Sequence, residues 1–181
     1  MTTYELFKFV KEKVDAYLAT NPAYAGLDLG QSFQPTSQGA EANQQLAMEL
    51  IIDRKIGWPQ RKEIWNDANQ DFDHRELRQM ESDFQMSALV LEDPQQPQLP
   101  TARDILVDVS TFLESTEFIE MLEEQDMGIL RVTEIRNPKF ENDQSDFQAS
   151  PSFDFTLTYK HITITGTKPK ADMVEHDSYP I

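Results

Sequence analysis

Ala149-Ser150-Pro151-Ser152-Phe153-Asp154-Phe155-Thr156-Leu157-Thr158-Tyr159-Lys160 is the stretch whose reading decides the fold. Phe153, Phe155, Leu157 and Tyr159 fall on every second position, with Asp154, Thr156, Thr158 and Lys160 between them. A period of two built from aromatic and β-branched residues is a strand with one oily and one wet face. Such a strand belongs to an antiparallel sheet covered on one side. Past His161 the apolar positions become Ile162 and Ile164, on the other register. Either a bulge re-aims the strand there, or the chain leaves the sheet to pair with something else.

Working outward, residues 129–136 and 79–91 read as two further strands, the latter with Met80, Ser82, Phe84, Met86, Ala88 and Val90 on one face. Residues 45–56 read as a fourth, with Leu46, Met48, Leu50 and Ile52 on one face and Ile51 breaking the polar side. A helix over 41–52 is its rival, because Ala, Gln, Met, Glu and Leu favour helix. Ile56-Gly57-Trp58-Pro59-Gln60-Arg61 reads as a turn. Residues 61–78 read as a solvated loop or short helix pinned by Trp65 and Phe72.

Helical spacing places a helix over 3–18, with Phe7, Val10, Val14 and Tyr17 in its stripe, Leu6, Phe9 and Leu18 widening it, and Asn21-Pro22 as its stop. Thr101 caps a second helix carrying Ile105, Leu106, Val109, Phe112 and Leu113. Ser115-Thr116-Glu117 starts a third, with Gly128 as the expected stop. The fold class is therefore α+β. We expect an antiparallel, mostly four-stranded sheet with helices packed on one face, an N-terminal helix, an extended loop and a C-terminal tail. The expected division is one domain over 1–165, with 19–45 as an extended arm containing a short strand near Leu27–Phe33, and a tail over 166–181. Pro94–Pro100 reads as a linker.

The 181 residues carry 16 Lys and Arg against 32 Asp and Glu, a formal charge of −16. That disfavours gripping nucleic acid, which requires cations against phosphates. It suits solubility, or a surface that passes DNA without holding it. Cysteine is absent, so disulfides, thiolate metal sites and cysteine nucleophiles are excluded. Residues 1–18 lack the unbroken apolar run of a secretory leader, and no window approaches a membrane span.

The search for chemistry returns little. His74, His161 and His176 have no second histidine at metal spacing, and there is no glycine-rich phosphate loop and no nucleophile elbow. Asp71/Asp73, Glu123/Glu124 and Asp143/Asp146 are acidic pairs. The run Asn142–Asp146 lacks the glycine and terminal glutamate of a calcium loop. No catalytic residue, cofactor or metal is expected.

Gly57-Trp58-Pro59-Gln60-Arg61, Asp83-Phe84-Gln85-Met86-Ser87-Ala88-Leu89, Gly128-Ile129-Leu130-Arg131-Val132, Asn137-Pro138 and Ser150–Leu157 together resemble the neck and tail-terminator proteins of long-tailed bacteriophages. The resemblance covers about residues 45–165. It implies a structural virion protein without catalysis. Such a protein forms a homohexameric ring that caps the tail tube and joins it to the head connector, with DNA passing through. The implied partners are other copies of the chain, the tail tube protein, the neck and connector proteins, and sheath protein if the tail is contractile. DNA is not bound sequence-specifically, and no membrane is involved. The implied location is the virion, and the host cytoplasm during assembly. Another head-to-tail connector or tail-completion ring is the alternative; an acidic metal-dependent hydrolase or a cytosolic adaptor is the alternative from a different class. Candidate interface residues are Arg131, Arg136, His161, Ile162, Ile164, Lys168 and Lys170. The strand past His161 and the tail after it are expected to cross to a neighbouring subunit.

Overall fold

The computed structural model describes residues 2–31, 44–68, 71–90, 100–137, 139–141, 147–149 and 151–166. In chain order the elements are α1 (Thr3–Leu18), a 3-10 turn (Pro22–Tyr24), β1 (Leu29–Gln31), β2 (Gln44–Asn66) and β3 (Asp71–Val90). Then come α2 (Ala102–Leu113), α3 (Thr116–Glu123), β4 (Met127–Val132), β5 (Lys139–Glu141), β6 (Phe147–Ala149) and β7 (Ser152–Gly166).

Each helix begins where the sequence supplies a cap. The Thr2 hydroxyl accepts the Glu5 N–H at 3.3 Å and the Glu5 carboxylate accepts the Thr2 N–H at 2.6 Å. Thr101 and Asp104 repeat this reciprocal box at 3.2 and 3.0 Å, and Ser115 Oγ accepts the Phe118 N–H at 3.2 Å. Each cap satisfies an N–H that the helix itself leaves unpaired and contributes about 1 kcal/mol. The hydrogen bonds from Thr2 and Thr101 hold the Glu5 and Asp104 carboxyls below their ordinary values.

The main sheet runs β1-β2-β3-β7-β4 and is antiparallel except for β1, which lies parallel to β2. A separate hairpin joins β5 to β6. The helices cover one face of the sheet. Leu6, Val10, Val14 and Leu18 of α1, five apolar side chains of α2 from Ile105 to Leu113, and Phe118 and Leu122 of α3 form a single buried cluster with the sheet. The sheet contributes Leu46 and Met48, Phe84, Met86 and Ala88, and Phe153, Phe155, Leu157 and Tyr159. Phe84 stacks on Phe155 at 5.5 Å and Tyr17 on Phe112 at 4.4 Å. Each such side chain contributes about 1.5–3 kcal/mol by leaving water.

Polar ties fix α1 to its neighbours. Lys11 Nζ donates to the Leu29 carbonyl at 2.5 Å and pairs with Asp15 at 2.9 Å and Asp28 at 3.1 Å. Asp15 accepts the Leu29 N–H at 2.7 Å, so β1 hangs from α1. The Tyr24 hydroxyl donates to the Asp108 carboxylate of α2.

Several expectations are corrected. The sheet has five strands, not four, because Leu29–Gln31 adds a parallel edge. Residues 45–56 are strand, not helix, but the strand does not end at Ile56. Gly57-Trp58-Pro59 is a bulge, and 60–66 and 71–78 are strand rather than loop. Helix α3 is stopped by the turn in which Asp126 takes φ 57°, and Gly128 lies inside β4. No register shift interrupts β3–β7 at His161: the pairing runs unbroken from Ser87–Ser152 to Asp73–Gly166. Residues 162–166 therefore stay in the sheet, paired with the chain's own β3. The linker over 91–99, the turn over 142–146, most of the arm and the tail beyond 166 lie outside the described residues.

Two outcomes test this account. Phe155→Ala should lower stability in urea by about 3–5 kcal/mol, whereas Trp58→Ala, at a 93 % exposed position, should change it by less than about 0.5 kcal/mol. Burial first, then the bond to Asp108, raises the Tyr24 phenol above its ordinary 10.0. A phenol raised on folding contributes stability that is fully present below the unfolded value and lost as pH climbs past it. Tyr24→Phe should cost about 1–3 kcal/mol at neutral pH and flatten the alkaline part of the stability profile above about pH 10.

Candidate functional site: a bare three-stranded ribbon

Helical cover ends at a seam of polar groups. Thr3, at the start of α1, donates to Asp53 at 3.3 Å, and the Ser82 hydroxyl donates to the same carboxylate. The positive end of the α1 dipole favours a carboxylate at that place. Tyr159 flanks the seam. Burial raises its phenol, the Ser82 hydrogen bond opposes the shift, and the Asp53 charge adds to it. Beyond the seam β2, β3 and β7 continue as a ribbon made of residues 52–66, 71–81 and 158–166. At about 3.3 Å per residue the β3 part extends roughly 35 Å.

Two bulges in β2 aim this ribbon. Leu50 pairs with Phe84 and Ile52 with Asp83, so Ile51 is an extra residue that flips the strand's inside and outside. Before it, even-numbered residues of β2 face the helices; after it, Asp53 and Lys55 do, and Ile52, Arg54 and Ile56 turn to the opposite face. Farther on, Ile56 pairs with Gln79 and Gln60 with Leu77, leaving two surplus residues in β2. Gly57 at φ 66° makes that excursion, and Trp58 stands on it almost wholly in solvent.

The two faces of the ribbon differ. The helix-side face holds ion pairs, Arg61–Glu76 at 2.8 Å and His74–Glu63 at 3.3 Å, with Trp65 packed edge-on against Phe72 at 5.0 Å. An open cleft of about 450 Å³ lies between it and the start of α1, lined by Thr2, Lys55, Arg78, His161 and Thr163 among others. On the back face the pairing aligns rows: Ile56–Gln79–Lys160, Gln60–Leu77–Ile162, Lys62–Arg75–Ile164. Ile162 is 50 % and Ile164 55 % exposed. Such apolar side chains on a sheet face with no described cover, beside an outer edge of β2 that is unpaired beyond Met48 among the described residues, are unusual for a chain that acts alone.

Of the residues the sequence singles out, His161, Ile162 and Ile164 come together on this ribbon, opposite Arg78, Leu77 and Arg75. Arg131 is exposed on β4, opposite Thr156 on the back face nearer the core. Arg136 grips both Asp154 oxygens at 2.7 Å within its own chain. Lys168 and Lys170 lie outside the described residues. Sequence reasoning missed Ile56, Trp58, Lys62, Arg75 and Leu77. The available signal was the turn-forming run Asp67-Ala68-Asn69-Gln70 flanked by Trp65 and Phe72, which is a hairpin pattern.

Among the described residues no group of three His, Cys, Asp or Glu could hold a metal ion, and no helix is long and apolar enough to cross a membrane. His176 and Asn142–Asp146 fall outside those residues.

A small α+β body bearing a bare strand surface is the form of a structural assembly protein. The family model described as E217 gateway protein gp29 matches residues 5–169, and the chain belongs to that family. It is a structural component of the phage virion at the head-to-tail junction. Among curated proteins no match was found.

Gly57→Ala tests the bulge. No atom lies within 4 Å of an added methyl, so any cost is backbone strain at positive φ. The expected cost is about 1–2 kcal/mol, read as faster hydrogen exchange of ribbon amides, with Gly57→Asn milder than Gly57→Ala.

Proposed function

We propose that this chain assembles into a homohexameric ring in the neck of a long-tailed bacteriophage, connecting head to tail, with DNA passing through the ring without sequence-specific contact. The observation that carries the reading is the ribbon: three strands run past the helical layer and leave Ile56, Ile162 and Ile164 in solvent. Burying that surface between subunits would remove an aggregation-prone face and edge. The gateway family supports a connector ring. The formal charge of −16 agrees with a conduit that repels DNA rather than holding it.

A finer reading makes this ring the tail terminator, which stops growth of the tube protein and meets the connector on its other side, with sheath as a neighbour if the tail contracts. The Gly57–Arg61 and Ser150–Leu157 phrases favour it by resemblance. Light scattering of the purified chain, with electron microscopy of the same sample, should reveal six-fold rings. Labelling of the chain in intact particles should mark the head–tail junction. Added to polymerising tube protein, the chain should arrest elongation if it is a terminator and leave elongation unchanged if it is a connector only.

A further inference from the structure

We infer that the back face of the ribbon docks on the acidic outer face of α3 in a second copy of this chain. The inference rests on the ring reading above and names the surfaces that would build it.

Charge separates the two parts of the molecule. Residues 52–66, 71–81 and 158–166 carry seven of the 16 Lys and Arg but only six of the 32 Asp and Glu, a formal +1, and the rest of the chain carries −17. Within the ribbon, Arg54 is used by Asp83, Arg61 by Glu76 and Lys160 by Asp126. Lys62 and Arg75, paired across the strands beside Ile164, form no ion pair among the described residues. They remain as cations on a face where Ile56, Leu77, Ile162 and Ile164 are interspersed with polar side chains.

The complement lies on α3. Phe118 and Leu122 face the core, and Glu117, Glu120 and Glu124 share the opposite, exposed side. At about 1.5 Å per residue they span roughly 10 Å, the scale of two neighbouring ribbon rows. None of the three makes an ion pair among the described residues.

Topology requires that the contact be between copies. The helices cover one face of the sheet and the Lys62–Arg75–Ile164 row lies on the other, so a ribbon cannot reach its own α3. A contact from one patch to a different patch on the next copy is heterologous, and repeated with a closing rotation it makes a ring. DNA is a poor occupant of the same face, because two unpaired cations neutralise few phosphates.

The test uses the full chain and two double variants at exposed positions, Lys62→Glu with Arg75→Glu and Glu117→Lys with Glu120→Lys, each checked for native circular dichroism. Sedimentation up to about 1 mM should find that either double variant weakens self-association at least about tenfold. All four changes in one chain should restore it, and Ile162→Ser with Ile164→Ser should weaken it with little dependence on salt. Self-association of the wild type that neither charge reversal alters overturns the inference and leaves the ring reading standing. Association lost on ending the chain at Gly166, but intact in Glu117→Lys with Glu120→Lys, also overturns it and makes the C-terminal segment the occupant. A wild-type chain that stays monomeric to about 1 mM overturns docking between copies, while labelling at the junction tests the neck reading separately.

Discussion

The unbroken antiparallel ladder between β3 and β7 is the interaction on which the rest of the structure depends. It begins at Ser87–Ser152 beneath the helices and ends at Asp73–Gly166 in solvent. Its inner half carries Phe84, Met86, Phe153 and Phe155 into the core. Its outer half carries Leu77, Ile162 and Ile164 away from it. One continuous hydrogen-bonded register therefore joins a body that is stable through burial to an arm that no other described element covers, and any displacement of the arm must be transmitted through backbone pairing.

The boundary between the two halves is set by small groups. Helix α1 runs out at Thr3, whose hydroxyl meets Asp53, and Asp53 also holds Ser82. Past that point no helix supplies apolar contacts to the inner face, and the side chains there become charged or polar: Lys55, Arg78, Glu76, His74. Apart from the Trp65–Phe72 pair, the apolar residues Ile56, Leu77, Ile162 and Ile164 appear instead on the back face. The change of register in the sequence at His161 is thus not a defect in the strand. It records which face of the same strand carries the apolar side chains.

On the ring reading proposed above, the protein has to join neighbours without capturing the DNA that would travel through it. Those demands conflict if a surface is uniformly charged. Here the ribbon segments are close to neutral, while the chain as a whole stays strongly acidic. Attraction is then local, within a Debye length of about 8–10 Å, and repulsion of a polyanion is general. The family assignment makes the chain a structural component of the head-to-tail junction, and the division of charge is a separate observation consistent with that place.

The sequence by itself determined the body of this protein. The cap at Thr101, the helix start at Ser115, helical stripes in α1 to α3, and alternation in 79–91 and 152–160 are local patterns enforced by local physics and are legible there, whereas sequence reasoning missed the Thr2 cap. It also brought His161, Ile162 and Ile164 into view as residues with no place in the core. Only the tertiary structure decided the ribbon. Residues 60–66 and 71–78 are too charged to show a buried face, because neither of their faces is buried, and periodicity reports burial rather than extension. Their strand conformation comes from pairing with β7 and with each other, a long-range constraint with no local signature. The bulges at Ile51 and Gly57-Trp58-Pro59 likewise have meaning only against a partner strand: an extra residue exists only relative to the one it fails to pair with.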